Sequence, residues 1–139
     1  MSVVRGGEPL FGAVQSTWNV LERSCEEALE EAKQAGMTVL VKEVLANGRL
    51  TARGDVREGS ELRRLASSNR VGPDAVAIAA ALARPWADVV LLGATTAEQL
   101  HENVRACQVR LSARDQQLLD SLREPPEQYW STRARLPWN

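Results

Sequence analysis

The chain has 139 residues, of which 44% are hydrophobic and 25% are charged, and its formal net charge at pH 7 is −1. This length and balance suit one globular domain with a sizeable core and exclude the compositions of disordered and collagen-like chains. The near-neutral charge and the lack of a basic stripe argue against a surface for nucleic acid or for an anionic membrane.

Targeting and redox signals are weak in this sequence. The start MSVVRGGE has neither the charged nor the apolar region of a signal peptide, and no apolar run reaches the roughly 18 residues of a membrane span. We therefore expect a cytoplasmic protein. Cys25 and Cys107 fall in predicted helices without a CxxC pattern or a cysteine–histidine cluster, so we expect free thiols and no metal site.

Predicted strands and helices alternate along the chain. After a loop over residues 1–9, runs of apolar and β-branched residues predict three strands, over residues 11–18, 37–41 and 88–92. Helical spacing predicts helices over residues 25–35, 60–68, 74–83, 97–107 and 112–122. This alternation is typical of right-handed βαβ units with a parallel sheet, and the four-residue apolar run at 89–92 predicts a strand buried on both faces. Three strands leave two open edges, which indicates a part of something larger.

Several helix ends carry recognisable signals. Ser24 with Glu27, and Ser112 with Asp115, have the spacing of capping boxes at helix starts. Gly36 follows the first predicted helix, where a glycine commonly ends a helix.

The turn after the third strand is the clearest candidate site. Gly93 follows the strand, and Thr95 or Thr96 can cap the next helix. A helix that begins at the carboxyl end of a parallel strand directs its free N–H groups and its positive dipole end above the sheet, where an anion binds well. The alternative is an ordinary strand-to-helix connection that binds nothing.

Other patterns narrow the chemistry. The glycines match neither GxGxxG nor a Walker loop, and the single histidine, His101, lies on a predicted polar helix face. What remains is a pair of glycine-containing loops after the second and third strands. In (β/α)8 barrels, loops after the last two strands often form a phosphate site.

Three segments together resemble the C-terminal half of an aldo-keto reductase. Residues 14–22 (VQSTWNVLE) are similar to that family's sixth strand, usually written VQxxYNLL, and residues 39–50 (VLVKEVLANGRL) to its seventh strand and following loop. Residues 90–103 (VLLGATTAEQLHEN) are similar to the eighth-strand segment VIPGATSPEQLEEN, and residues 111–115 to the start of the late extra helix. The resemblance implies a partial (β/α)8 TIM barrel of three βα units, strands six to eight, over residues 1–123, with a tail over 124–139.

The resemblance also implies an NADP(H) site at the carboxyl end of the barrel. Gln15 would bind the nicotinamide carboxamide, and Leu45, Asn47 and Gly48 would place backbone N–H groups on the pyrophosphate. Near the adenosine end, the implied contacts are Gly93, Thr95, Thr96, Gln99 and Asn103.

Three positions depart from the family pattern. Lys42 stands where an aromatic residue usually stacks on the nicotinamide, and Gln99 where an arginine often holds the 2′-phosphate. Loss of that arginine lessens the preference for NADP over NAD. Glu43 replaces a serine near the pyrophosphate, where a carboxylate repels phosphate unless it is paired; Arg49 and Lys42 are the candidate partners.

The family's catalytic set of Asp, Tyr, Lys and His lies in the first half of the barrel, and no segment here resembles it. The resemblance therefore predicts a truncated or split reductase-like chain that keeps much of the NADP(H)-binding half and is inactive alone. The alternative is a non-catalytic assembly module that pairs with itself or with a separate N-terminal half. A fragment of a longer product remains a third possibility.

Overall fold

The computed structural model describes residues 4–5, 8–57 and 59–136. Two short strands, β1 (Val4–Arg5) and β2 (Glu8–Pro9), pair antiparallel near the N-terminus. The prediction of a loop over residues 1–9 is therefore wrong for these four residues, and positions 1–3 and 6–7 lie outside the described residues. The Gly-Gly pair between two short segments is a hairpin signal that the loop interpretation overlooked.

A parallel sheet forms the centre of the fold, as the alternating pattern predicts. Its strands are β3 (Ala13–Thr17), β4 (Thr38–Lys42) and β5 (Val89–Val90), in the order β3-β4-β5. The Asp88 amide donates to the Val39 carbonyl at 3.0 Å and the Leu91 amide to the Val41 carbonyl at 2.8 Å, so the ladder continues beyond the two residues of β5. All three predicted strands are confirmed, with the first and the third shorter than predicted.

Helices connect and cover these strands. Four of the five predicted helices lie within about two residues of the observed ranges; the fifth prediction, residues 112–122, also included the 3-10 turn Asp120–Leu122 that follows the observed helix. In chain order the helices are α1 (Glu26–Gln34), α2 (Glu61–Asn69), α3 (Pro73–Leu82), α4 (Ala97–Arg105), α5 (Ala113–Leu119) and α6 (Pro126–Arg135). In the described parts of the chain, no helix is both long and apolar enough to cross a membrane.

Two of the three predicted end signals are confirmed. Ser112 and Asp115 form a reciprocal capping box at the start of α5. Gly36, with φ of +84°, ends α1 in the left-handed conformation that glycine adopts without strain. The capping box at Ser24 is wrong, because the Ser24 amide donates instead to the buried carboxylate of Glu22 and α1 begins without a side-chain cap.

The core lies between the sheet and its outer helices. The helix α3 is almost entirely buried and rich in alanine, which allows close packing against its neighbours. Next to it, the fully buried Trp18 meets Trp86 edge to face, with ring centroids 5.7 Å apart. The guanidinium groups of Arg23 and Arg84 lie over the Trp18 ring, 5.4 and 4.8 Å from its centroid.

The opposite face of the sheet is open. Gln15 is exposed on β3, and Val89 and Leu91 keep 41% and 37% of their surface accessible. The prediction of a strand buried on both faces is therefore wrong in this chain, because helices cover only one side of the sheet.

The segment predicted as a tail contains an unpredicted helix. Tyr129 of α6 is fully buried, and the Glu124 amide ahead of the helix donates to the Leu21 carbonyl at 2.9 Å. Residues 124–135 are thus packed against the sheet-bearing part of the fold.

Candidate functional site

The carboxyl ends of the three parallel strands lie at one edge of the sheet, and the candidate residues lie on β3 and β4, on the loops after β4 and β5, and on α4. Gln15 pairs in register with Leu40, and Lys42, the last residue of β4, pairs with Thr17. Gln15 is exposed and Lys42 half-buried, so both have surface available to a ligand at this edge.

The loop after β4, residues 43–54, begins with an unusual backbone. Glu43, Ala46 and Asn47 have φ values of 54°, 49° and 54°, and Gly48 has 89°. Only glycine adopts this left-handed region freely, so the three other residues are held there by the surrounding structure at some cost in free energy. An added Cβ at Gly48 would meet no atom within 4 Å, so the space beside this residue is open.

The far part of this β4 loop folds back on itself. A Cβ at Gly54 would lie 1.9 Å from the Arg49 carbonyl oxygen, so this close backbone approach requires glycine. Arg49 Nε also donates to Asp55 at 3.2 Å. The β4 loop is therefore compact and closely packed against itself.

Two ion pairs hold the β4 loop from outside. Arg133 of α6 donates through Nε to one carboxylate oxygen of Glu43 at 2.9 Å and through Nη2 to the other at 3.1 Å. Arg49 donates to both oxygens of Glu124, at 3.0 and 2.5 Å. These hydrogen bonds, to Glu43 and Glu124 respectively, raise the pKa of Arg133 and of Arg49. The sequence offered Arg49 and Lys42 as partners of Glu43; the observed partner is Arg133.

A buried polar centre around Asn19 links α6 to the start of the β4 loop. Asn19, fully buried, donates from Nδ2 to the Tyr129 hydroxyl at 2.9 Å and to the Glu43 carbonyl at 3.0 Å. Its Oδ1 accepts from the amides of Leu21 and Glu22, both at 3.0 Å. Burial raises the pKa of Tyr129, which keeps its hydroxyl protonated.

Sequence reasoning missed this part of the site. The predicted tail contains Glu124, Tyr129 and Arg133. A proline in the first turn, as at Pro126, is nevertheless a helix-start signal. Arg133 lies 90 positions from Glu43, and no pattern in this one sequence indicates that the two residues pair.

The turn between β5 and α4 has the predicted cap. Thr96 is the N-cap, and its hydroxyl accepts from the Gln99 amide at 3.2 Å. The Gln99 side chain folds back, and its Oε1 accepts from the amide and hydroxyl of Thr95 at 2.8 and 3.0 Å. An added Cβ at Gly93 would meet nothing within 4 Å, so the space above this turn is open.

The rest of α4 divides sharply between buried and exposed positions. Asn103 is only 5% exposed, whereas His101 is exposed as its polar setting predicts. Leu100 and Val104 are 53% and 57% exposed, so the apolar stripe of this helix is not fully covered within the chain.

Other chemistry is limited. Among the described residues, no group of three or more His, Cys, Asp or Glu side chains is placed to hold a metal ion. Both cysteines are free thiols; Cys25 is partly buried, and burial raises its pKa.

Comparison with known proteins identifies the class. The family model described as the Aldo/keto reductase family matches residues 1–124. The chain therefore belongs to the aldo/keto reductase family. A search of curated protein sequences finds no match.

Solved structures agree with this assignment. The thermostable aldo-keto reductase Tm1743, solved with the inhibitor epalrestat, is 27% identical with a TM-score of 0.66, over 78% of this chain and 38% of that one. The holo form of aldo-keto reductase AKR11C1 from Bacillus halodurans is 25% identical with a TM-score of 0.65, over 82% of this chain and 43% of that one. The apo form has 25% identity and a TM-score of 0.63, over 80% and 43%. The chain thus spans about two-fifths of the length of these structures.

Proposed function

We propose that this chain forms the NADP(H)-binding side of an aldo-keto reductase site, built from family strands six to eight. The observation that carries the proposal is the convergence of two loops at one sheet edge, each with open space beside a glycine, Gly48 and Gly93. Extended phosphate groups need close backbone approach, which a side chain at either position would obstruct.

The residues at this edge fit the proposed cofactor. The exposed amide of Gln15 suits a carboxamide partner, and the left-handed backbone at Asn47 and Gly48 suits a pyrophosphate nest, next to Leu45. Lys42 provides a cation at the nicotinamide end. The capped start of α4, with Thr95, Thr96 and Gln99, is proposed for the adenosine phosphate, and the small exposed part of Asn103 for adenine.

One possible conflict is removed by the ion pairs. Glu43 would repel a pyrophosphate if its charge were free, but Arg133 pairs with both carboxylate oxygens. The loop is therefore compatible with an anionic ligand.

We further propose that the catalytic residues come from outside these 139 residues. The chain has one tyrosine and one histidine. Tyr129 is fully buried and bonded to Asn19, and His101 lies on the exposed side of α4, so neither sits where it could protonate a substrate at the sheet edge. NADPH supplies a hydride when it is bound; proton transfer and substrate alignment require the missing residues.

A binding experiment tests the cofactor proposal. Titration of the purified chain with NADPH, followed by cofactor fluorescence or calorimetry, is expected to show saturable binding. Gly93→Val fills the open space above the turn and is expected to weaken binding by roughly tenfold or more. Gly12→Val is the matched control, because its Cβ also meets nothing within 4 Å but lies at the opposite end of β3. No saturable binding, or equal binding by both variants, would refute the proposal.

An activity assay tests the second part. The purified chain is expected not to oxidise NADPH in the presence of a model aldehyde above the uncatalysed rate. Turnover at ordinary enzyme rates would show that the catalytic set lies within the chain.

The open sheet face favours a second candidate function, that of an assembly module. The exposed apolar residues Val89 and Leu91 and the edge strands β3 and β5 are suited to pairing with a complementary barrel half or with a second copy. Size-exclusion chromatography with light scattering tests self-association. A monomer that remains soluble at high concentration would exclude an obligate homo-oligomer.

A further inference from the structure

The C-terminal segment 124–135 contacts the β4 loop at the two ends of its left-handed stretch. Arg133 holds Glu43 at the start of the left-handed stretch, and Glu124 holds Arg49 immediately after it. The same segment also contacts Arg49 through Tyr129, whose ring centroid lies 5.9 Å from the Arg49 guanidinium. The loop is thus fixed at two points by one segment distant in sequence.

These contacts are more effective than ordinary surface ion pairs. The side chains of Arg49 and Arg133 are 10% and 12% exposed, and those of Glu124 and Glu43 are 16% and 23% exposed. Both pairs are bidentate, a geometry that fixes the relative orientation of the two side chains as well as adding electrostatic attraction. A loop with residues in an unfavourable backbone region needs such outside support to keep its shape.

We propose that segment 124–135 is a strap that holds the β4 loop in its ligand-ready shape, so that release of the strap lowers nucleotide affinity without unfolding the core. Its effect on affinity rests on the proposed nucleotide function, whereas its effect on loop order does not. The strap raises affinity because a loop that is already ordered loses less conformational entropy when the ligand binds.

Hydrogen exchange measured by mass spectrometry, without nucleotide, tests the strap itself. Arg133→Met keeps an unbranched apolar stem but removes the guanidinium group and with it both hydrogen bonds to Glu43. Amides of residues 43–50 are expected to exchange roughly three- to tenfold faster, while those of α3 remain unchanged. Arg135→Met, an exposed position on the same helix, is the matched control and is expected to leave the loop unchanged.

Further variants separate a specific pair from general destabilisation. Arg133→Lys keeps the charge but loses the fork, and is expected to give an intermediate rate. Glu43→Gln is expected to reproduce the effect of Arg133→Met, and the double variant to add little to either alone. Equal loop exchange in Arg133→Met and Arg135→Met, or faster exchange throughout α3, would overturn the proposal.

NADPH titration of the same variants distinguishes the two proposals. A loss of affinity in Arg133→Met that matches the gain in loop exchange supports the strap. Faster loop exchange with unchanged affinity would overturn its control of binding. If neither the original chain nor any variant binds NADPH, the proposed nucleotide function is refuted. The exchange data still decide whether the strap orders the loop.

Discussion

Replacing Asn19 should destabilise the protein far more than its single side chain suggests. Asn19→Ala removes four hydrogen bonds in a fully buried position: two from the backbone amides of Leu21 and Glu22, one to the Glu43 carbonyl and one to the Tyr129 hydroxyl. The two amides belong to residues that are 4% and 1% exposed, so water does not readily replace the lost partner.

The magnitude follows from the number of bonds. Each hydrogen bond contributes about 1 kcal/mol net, and a buried group left without a partner costs about 1–3 kcal/mol, so we expect a loss of about 4 kcal/mol in the free energy of unfolding. This is a large share of the roughly 5–15 kcal/mol available to a domain. Tyr129→Phe removes one of the four bonds and leaves one Asn19 N–H group without its partner, while the bond to Glu43 remains, so about 1–2 kcal/mol is expected.

Urea unfolding followed by far-ultraviolet circular dichroism measures both values. The original chain provides the reference slope, and an unchanged slope in each variant permits direct comparison of midpoints. If Asn19→Ala cost no more than Tyr129→Phe, the buried polar centre would not be the link between β3, the β4 loop and α6 that the geometry describes.

Two further outcomes follow from side-chain environments. Hydrogen bonds from the Ser112 hydroxyl and amide lower the pKa of Asp115, so the contribution of this carboxylate to stability is present at neutral pH and is lost as the pH falls through the lowered pKa. In Ser112→Ala, nuclear magnetic resonance should show a pKa of Asp115 closer to 3.8, and an unchanged pKa would contradict the capping box. Iodoacetamide at pH 8 should modify the exposed Cys107 at least about tenfold faster than Cys25, because the Cys25 thiol donates to the Thr17 carbonyl and burial raises its pKa. Peptide mass spectrometry measures both rates, and equal rates would contradict the buried environment of Cys25.

The parts of the fold set by local chemistry were predictable from sequence. Strands β3 and β4 have the apolar and β-branched composition that a sheet requires, and the Ser112 capping box depends on residues three positions apart. Gly36 at the end of α1 is likewise a local choice, because the left-handed conformation strongly favours glycine.

Features that depend on distant partners were not predictable. Ser24 has the sequence of a cap, but the buried carboxylate of Glu22 competes for its amide, and only the folded chain decides between them. The apolar run of β5 indicates burial, yet burial requires a covering element that these residues do not themselves provide. For the candidate site, the strand–glycine–helix pattern indicated Gly93 and the family resemblance implied Gln15, whereas the pairing of Glu43 with Arg133 depends on the packing of α6.

The three tryptophans in the part of the chain that the structure describes form two separate optical probes. Trp18 and Trp86 are fully or almost fully buried in the core, whereas Trp130, on α6, is 44% exposed and packs edge to face on Tyr129 at 5.2 Å. Iodide quenching should therefore reach Trp130 well before the core pair. In a Trp138→Phe variant, which removes the tryptophan outside the described residues, release of α6 and melting of the core then have different emission signatures. One unlabelled sample reports whether the C-terminal helix leaves before the rest of the protein unfolds.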